Sequence, residues 1–219
     1  MNRWRTLWQG RCWTCGDVLV GNEVAGVCPP CRWAWPVCED DAVTRILVGA
    51  KSAVPVAGLG FRLCAKRGTE QVVHRVKYGG FPSAGRALGH WVAQRWRPPP
   101  NAPLLVPIPL HWRRRWKRGF NQAEALAEGF AAGWRLPMDA SILERRIHKP
   151  SLTAATRAAR QLALQDVFAV SAHAVQRCEG RSVVLVDDVL TTGATCRACV
   201  NLLESHGLEV SGAVWLAMA

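Results

Sequence analysis

The stretch VVLVDDVLTTGAT, residues 183–195, constrains the fold more than any other part of the chain. Its opening run of apolar residues with no polar interruption describes a strand buried on both faces, the situation found where helices cover both sides of a parallel sheet. Asp187 and Asp188 follow at once. Two adjacent carboxylates in a core would repel each other and lose their hydration, so they mark the carboxyl end of the strand Val183 to Val186 and call for a partner; a ribose diol and a divalent cation both qualify. Thr191, Thr192, Gly193 and Thr195 then gather backbone N–H groups, hydroxyls and a new helix N-terminus around one point, an arrangement that suits a monophosphate. Neither G-x-x-x-x-G-K-[ST] nor G-x-G-x-x-G occurs in the chain, so a P-loop and a dinucleotide fingerprint have no support.

Further signals place this strand in an alternating α/β chain. Val72, Val73 and Val76 recur at helical spacing and lead into VKYGG, whose paired glycines end the helix. A second helix is expected over 84–95, stopped by PPPN at 98–101. LLVPIP at 104–109 reads as a short buried strand with its prolines at the end, because proline cannot donate to a ladder. A basic loop, HWRRRWKRGFNQ at 111–122, closes on Asn121, three residues before Glu124, in capping-box spacing for a helix through Trp134. Cys199, Leu202, Leu203 and His206 mark one face of the helix after the opening stretch, Gly207 caps it, and Val210 to Met218 forms a last strand. Strands alternating with helices predict a parallel sheet whose ligands bind beyond the carboxyl ends of its strands. The glycine-rich VPVAGLGF at 54–61 is read as part of a connection.

The amino-terminal part has a different logic. Cys12, Cys15, Cys28 and Cys31 form two C-x-x-C pairs separated by twelve residues. Two such turns can close a tetrahedral site with Zn–S distances of about 2.3 Å and no open position, hence one structural zinc. Of the other cysteines, Cys38 and Cys64 have no such partner and are read as core or surface thiols, and His74, His90 and His206 as structural. The domain boundaries expected from this are a cysteine module over 1–39, a connection over 40–67 and an α/β domain over 68–219.

Composition limits the compartment and the partners. Apolar stretches such as APLLVPIPL at 102–110 fall well short of the roughly 20 residues a membrane span needs. MNRWRTLWQGRC lacks the apolar segment of a signal peptide, and a cytoplasmic protein is expected. There, nine cysteines are metal ligands or free thiols rather than a disulfide framework. A formal net charge of +12 favours polyanionic partners.

Strand, D-D, T-T-G-x-T and helix in that order resemble the phosphoribosyl pyrophosphate loop of type I phosphoribosyltransferases. The cysteine pairs, VKYGG, VPIPLHWRRRWKRGFNQ and VVLVDDVLTTGAT, occurring together and in this order, resemble the ComF family. That resemblance implies a type I phosphoribosyltransferase fold, a parallel sheet flanked by helices, with a small zinc module, and a link to DNA uptake in natural competence. It implies that Asp187 and Asp188 bind ribose hydroxyls and that residues 191–195 hold the 5'-phosphate. Lys77, Tyr78 and Gly79 would stand at the pyrophosphate, and Arg114, Arg118 and Asn121 in a mobile loop over the site, with Mg²⁺ accompanying the pyrophosphate. The activity implied is transfer of the sugar from phosphoribosyl pyrophosphate to an acceptor that the sequence does not name. The alternative is a non-catalytic adaptor that holds single-stranded DNA or a DNA-uptake helicase, since Trp112 and Trp116 interleaved with cations also suit a single-stranded nucleic acid. The chain departs from the family's habit at Leu152 and Ala163, where relatives commonly carry glutamine and asparagine, and this bears on recognition of an acceptor base.

Overall fold

The computed structural model describes residues 10–21, 24–36, 55–146 and 167–219. In chain order, the elements up to the basic segment are α1 (Pro29–Trp33), β1 (Val56–Arg62), α2 (Thr69–Tyr78), α3 (Pro82–Ala93), β2 (Leu104–Pro107) and α4 (Trp112–Arg118). They continue as α5 (Gln122–Trp134), β3 (Leu143–Arg145), β4 (Phe168–Val170), α6 (Ala174–Cys178), β5 (Val183–Leu190), α7 (Ala194–Ser205) and β6 (Val210–Met218). Four strands form one parallel sheet in the order β1-β6-β5-β2. A separate antiparallel ribbon pairs β3 with β4.

The apolar run of β5 works as its pattern requires. Val183 and Leu185 face one core, shared with Cys199, Val200 and Leu203 of α7. Val184 and Val186 face the other, shared with Val72 and Val76 of α2, Leu88 of α3 and Leu126 and Phe130 of α5. A strand loaded on both faces has no solvated side, which is why it lacks polar alternation. Helices α3 and α5 meet through small residues: a Cβ at Gly129 would collide with the Arg86 carbonyl oxygen, and one at Gly89 with the Leu126 carbonyl oxygen, so the backbones can approach this closely only through glycine. The free edge of β2 is covered by 137–139, where Leu105 donates to the Pro137 carbonyl and Asp139 donates to the Leu105 carbonyl.

This topology creates the crevice. After β2 the chain turns to the face carrying α5, and after β5 it turns to the opposite face carrying α7. Neighbouring strands whose continuations diverge leave a gap at their carboxyl ends, the place where open α/β sheets take ligands.

The cysteine module packs on the α2 and α3 side. Trp35 lies 4.4 Å from the Phe61 ring and 5.3 Å from the Trp91 ring, and Arg75 sits 5.4 Å over Trp13. No helix among the described residues is long and apolar enough to cross a membrane.

Several sequence expectations need correcting. Within 40–67, Val56–Arg62 is strand β1, hydrogen-bonded to β6, and not part of an irregular connection. Its glycines are tolerated because neighbours occupy their space: a Cβ at Gly60 would strike the Leu216 carbonyl oxygen. The basic loop is in part a helix, α4, whose entry is capped by His111 Nδ1 accepting from the Arg113 N–H at 3.2 Å. Strand β5 does not stop at Val186 but carries Asp187 and Asp188 within it to Leu190, with Asp187 in register with Trp215. On α7 the inner face is Cys196, Cys199, Val200 and Leu203; Leu202 is half-buried and His206 exposed. Cys38, Leu152 and Ala163 lie outside the described residues.

Candidate functional site

An open cleft of about 160 Å³ lies in the crevice between β2 and β5. Lys77, Arg114, Arg118, Asn121, Asp187, Asp188 and Thr195 line it, so residues distant in sequence meet there. A smaller recess beside it is lined by Thr191, Gly193 and Thr195 and shares Asp187 with the cleft. Tyr78, Gly79 and Thr192 do not line the cleft. Tyr78 is nonetheless tied to it: its ring lies 4.6 Å under the Arg118 guanidinium, which donates to the Tyr78 hydroxyl at 3.0 Å.

The two acids are in unequal surroundings. Asp188 Oδ2 lies 3.4 Å from the Lys77 ammonium. Asp187 accepts the Asp188 N–H at 2.8 Å, and it has no ion pair among the described residues. Burial, and then the charge of Asp188, push the Asp187 carboxyl up to about 7, against the pull of that N–H, Lys77 and Arg145. Asp187 therefore holds a proton more readily than an ordinary carboxyl.

The turn after the acids leads directly into a helix N-terminus. Gly193 has a φ of 69°, a left-handed conformation that glycine adopts without steric cost, and it opens α7. Thr192 Oγ1 accepts from the Ala194 N–H at 3.4 Å. Across the cleft, Asn121 caps α5, accepting from the Ala123 N–H and donating to the Ile108 carbonyl, both at 3.2 Å. Glu124 does not complete the capping box in the expected way; its carboxylate lies 3.4 Å from Arg115.

Sequence reasoning missed Gln122 and Arg145, which also line the cleft. Gln122 stood in plain view beside Asn121 but reads as an ordinary first-turn helix residue. Arg145 lies on the short ribbon, where no periodicity singles it out. Burial, then the nearby charge of Arg114, lower its pKa.

On α4, Trp112 and Trp116 are 62% and 87% exposed, well outside any core. Arg113 stacks on Trp112 at 5.2 Å.

In the amino-terminal module, the ligand atoms of Cys12, Cys15, Cys28 and Cys31 all lie within 4.8 Å of one another. Cys12 Sγ accepts backbone N–H bonds from Thr14 and Cys28, each at 3.4 Å, the contacts a thiolate requires. Although burial acts against it, the N–H groups of Cys28, Cys15 and Thr14 bring the Cys12 thiol down to about 6, whereas burial and its cysteine neighbours drive Cys31 well up. Four thiols this close cannot all ionise unaided, and a dication removes the conflict; the donor set fits zinc. A third C-x-x-C, Cys196 and Cys199, was passed over in the sequence. Its thiols face the core from α7, where burial pushes Cys196 up to about 12.

A family model described as "Phosphoribosyl transferase domain" matches residues 116–218. "Competence protein F" of Haemophilus influenzae is 34% identical over 107 residues, 48% of this chain and 45% of that protein. "DNA utilization protein YhgH" of Escherichia coli K12 is 30% identical over 103 residues, 47% of this chain and 44% of that protein. "Adenine phosphoribosyltransferase" of Dichelobacter nodosus is 53% identical over 38 residues, 17% of this chain and 22% of that protein. The matched region thus spans less than half the length of each of these relatives. The parallel sheet, the cleft at its carboxyl edge and the family match define a phosphoribosyltransferase-type domain. Within that class the chain is similar, over about half its length, to the competence and DNA utilization proteins named above.

Proposed function

We propose that the cleft binds phosphoribosyl pyrophosphate or a closely related 5'-phosphorylated ribose. The observation that carries this reading is the joint placement of an acid pair, a glycine-opened helix N-terminus and several cations at one crevice of the sheet. Asp187 and Asp188 would accept the ribose hydroxyls, and the turn at 191–195 would hold the 5'-phosphate through N–H groups and hydroxyls. Lys77, Arg114 and Arg118 would face the pyrophosphate, with Tyr78, Gly79 and Asn121 positioning them. Mg²⁺ fits this donor set as a companion of the ligand's own phosphates, because two carboxylates are too few for a protein cage and Mg²⁺ keeps most of its water or phosphate ligands. It would supply neutralisation of phosphate charge.

In a transfer reaction the bond from the anomeric carbon to the pyrophosphate oxygen breaks, the electron pair leaving with that oxygen, and an electron pair of the acceptor forms the new bond to that carbon. Guanidinium and ammonium groups lining the cleft would stabilise the charge that develops on the leaving oxygens. The acceptor is unassigned. The names of the relatives in Haemophilus influenzae and Escherichia coli support a role in competence and DNA utilisation.

A second reading rests on α4. Exposed Trp112 and Trp116 beside Arg113, Arg114, Arg115, Lys117 and Arg118 form a surface on which bases can stack while cations follow phosphates. On that reading the protein is an adaptor for single-stranded DNA or a translocating helicase. Calorimetric titration with phosphoribosyl pyrophosphate and with single-stranded DNA, each with and without Mg²⁺, separates the two. Saturable sugar binding strengthened by Mg²⁺ supports the first; DNA binding with no sugar binding overturns it.

A further inference from the structure

The cysteine module and the cleft share a helix. Cys12, Trp13, Val72, Val73 and Val76 belong to one buried cluster, so α2 packs on the module as well as on the sheet. Two contacts tie the module to opposite ends of α2. At its entry Gly68 caps the helix with a φ of 68°, and a Cβ there would collide with the Thr14 side chain, so the Cys12–Cys15 turn comes this close only through glycine. In its last turn the Arg75 guanidinium lies 5.4 Å over the Trp13 ring, an attraction between a cation and an aromatic face.

Trp13 and Thr14 are the two residues enclosed by Cys12 and Cys15. The Thr14 N–H donates to Cys12 Sγ at 3.4 Å, and the Trp13 N–H donates to the Gly26 carbonyl at 2.9 Å. A pair enclosed between two metal ligands moves only as those ligands do, so its place follows the cysteine centre. The far end of α2 reaches the cleft, where Lys77 is part of the lining and lies 3.4 Å from Asp188. Arg75 and Lys77 are two positions apart and therefore leave the helix in different directions, one to the module and the other to the cleft. The Gly79 N–H closes the turn between them on the Arg75 carbonyl at 2.7 Å, so a shift of Arg75 carries Lys77 with it.

We propose that Trp13 and Thr14 are positioning residues for the cleft, acting through Arg75 and Gly68 to set where α2 presents Lys77. Ligand affinity then follows the state of the cysteine centre, although the two sites have no residue in common. The assignment rests on the sugar-phosphate reading of the cleft and adds to it a part of the chain that touches no ligand.

The test is a double-mutant cycle on the full chain, titrated calorimetrically with phosphoribosyl pyrophosphate, with zinc content measured for every variant. Lys77→Ala should weaken binding about tenfold to a hundredfold, the scale of a lost hydrogen bond between charged groups. Trp13→Leu with its zinc retained should weaken it about twofold to fivefold, the scale of one cation–π contact, while Trp13→Phe, which keeps a ring face for Arg75, should bind like wild type. In the Lys77→Ala background Trp13→Leu should cost nothing further. An equal loss in both backgrounds, or no loss in zinc-loaded Trp13→Leu, overturns the proposal. Hydrogen exchange without ligand reads the same coupling independently: amides 76–79 should exchange several-fold faster in Arg75→Gln, an exposed substitution, and in wild type stripped of zinc by a chelator. Unchanged exchange in either overturns the proposal, and this arm decides where Trp13→Leu loses its zinc. Faster exchange in both, with no sugar-phosphate binding by wild type, sustains the positioning role and removes the ribose reading. Sugar-phosphate binding with unchanged exchange does the reverse.

Discussion

Cys12, Cys15, Cys28 and Cys31 bring four thiols within 4.8 Å of one another, and Asp187 and Asp188 set two carboxylates side by side within β5. Both clusters crowd groups that repel when ionised, yet their surroundings differ. The thiols converge on a common centre, with backbone N–H groups turned towards Cys12. The acids lie on an open cleft, one paired with Lys77 at 3.4 Å and the other without an ion pair among the described residues. A convergent set of donors calls for a resident ion that holds a fold together. A half-compensated pair on a cleft calls for a ligand that comes and goes.

The largest effect is expected at the cysteine centre. Structural zinc contributes on the order of 10 kcal/mol to a small module, so Cys12→Ser should reduce zinc from one per chain to none and loosen the packing of Trp35 on Phe61. Elemental analysis of the purified variant checks this, and an undiminished zinc content would break the contrast on its resident-ion side.

A smaller effect tests the strain on the acids. Asp187 is held near 7 in the fold against an ordinary value of 3.8, so between those values the folded chain keeps a proton that the unfolded chain has released. Stability falls as pH rises through that window, and the penalty is complete above it. Ligand-free Asp187→Asn should therefore melt like wild type near about pH 4 and higher than wild type near about pH 8, each kcal/mol gained appearing as about 2–4 °C in a chain of this size. A stabilisation independent of pH would show that the carboxyl is not strained by its charge.

The smallest effect concerns α4. If Arg114 and Arg118 each meet a phosphate of single-stranded DNA, Arg114→Ala with Arg118→Ala should reduce the slope of log affinity against log salt by about 1.4, from roughly 0.7 per contact. An unchanged slope would leave α4 as a solvated basic face.

Legibility in the sequence followed the range of the interactions. The β5 run, the cap at Asn121, the final strand Val210–Met218 and the cysteine pairs are set by neighbours in sequence, and each could be read from its own pattern. Strand β1 could not, because its glycines are explained only by distant neighbours, the Leu216 backbone against Gly60 and the Trp134 and Val214 side chains against Gly58. The helical character of 112–118 was hidden in the same way: a run of arginines and tryptophans gives no apolar period, since the helix buries none of its residues. Gln122 and Arg145 belong to the cleft through the divergence of β2 and β5 and the placement of a ribbon, neither of which has a local signature.

The central claim is that the open acid pair belongs to a sugar phosphate. Calorimetric titration of phosphoribosyl pyrophosphate into wild type and into Asp187→Asn with Asp188→Asn tests it most directly. Loss of the charge-assisted hydrogen bonds to the ribose should weaken binding by about 2–4 kcal/mol while the ligand-free variant melts no lower than wild type. Undiminished binding in the double variant would contradict the claim.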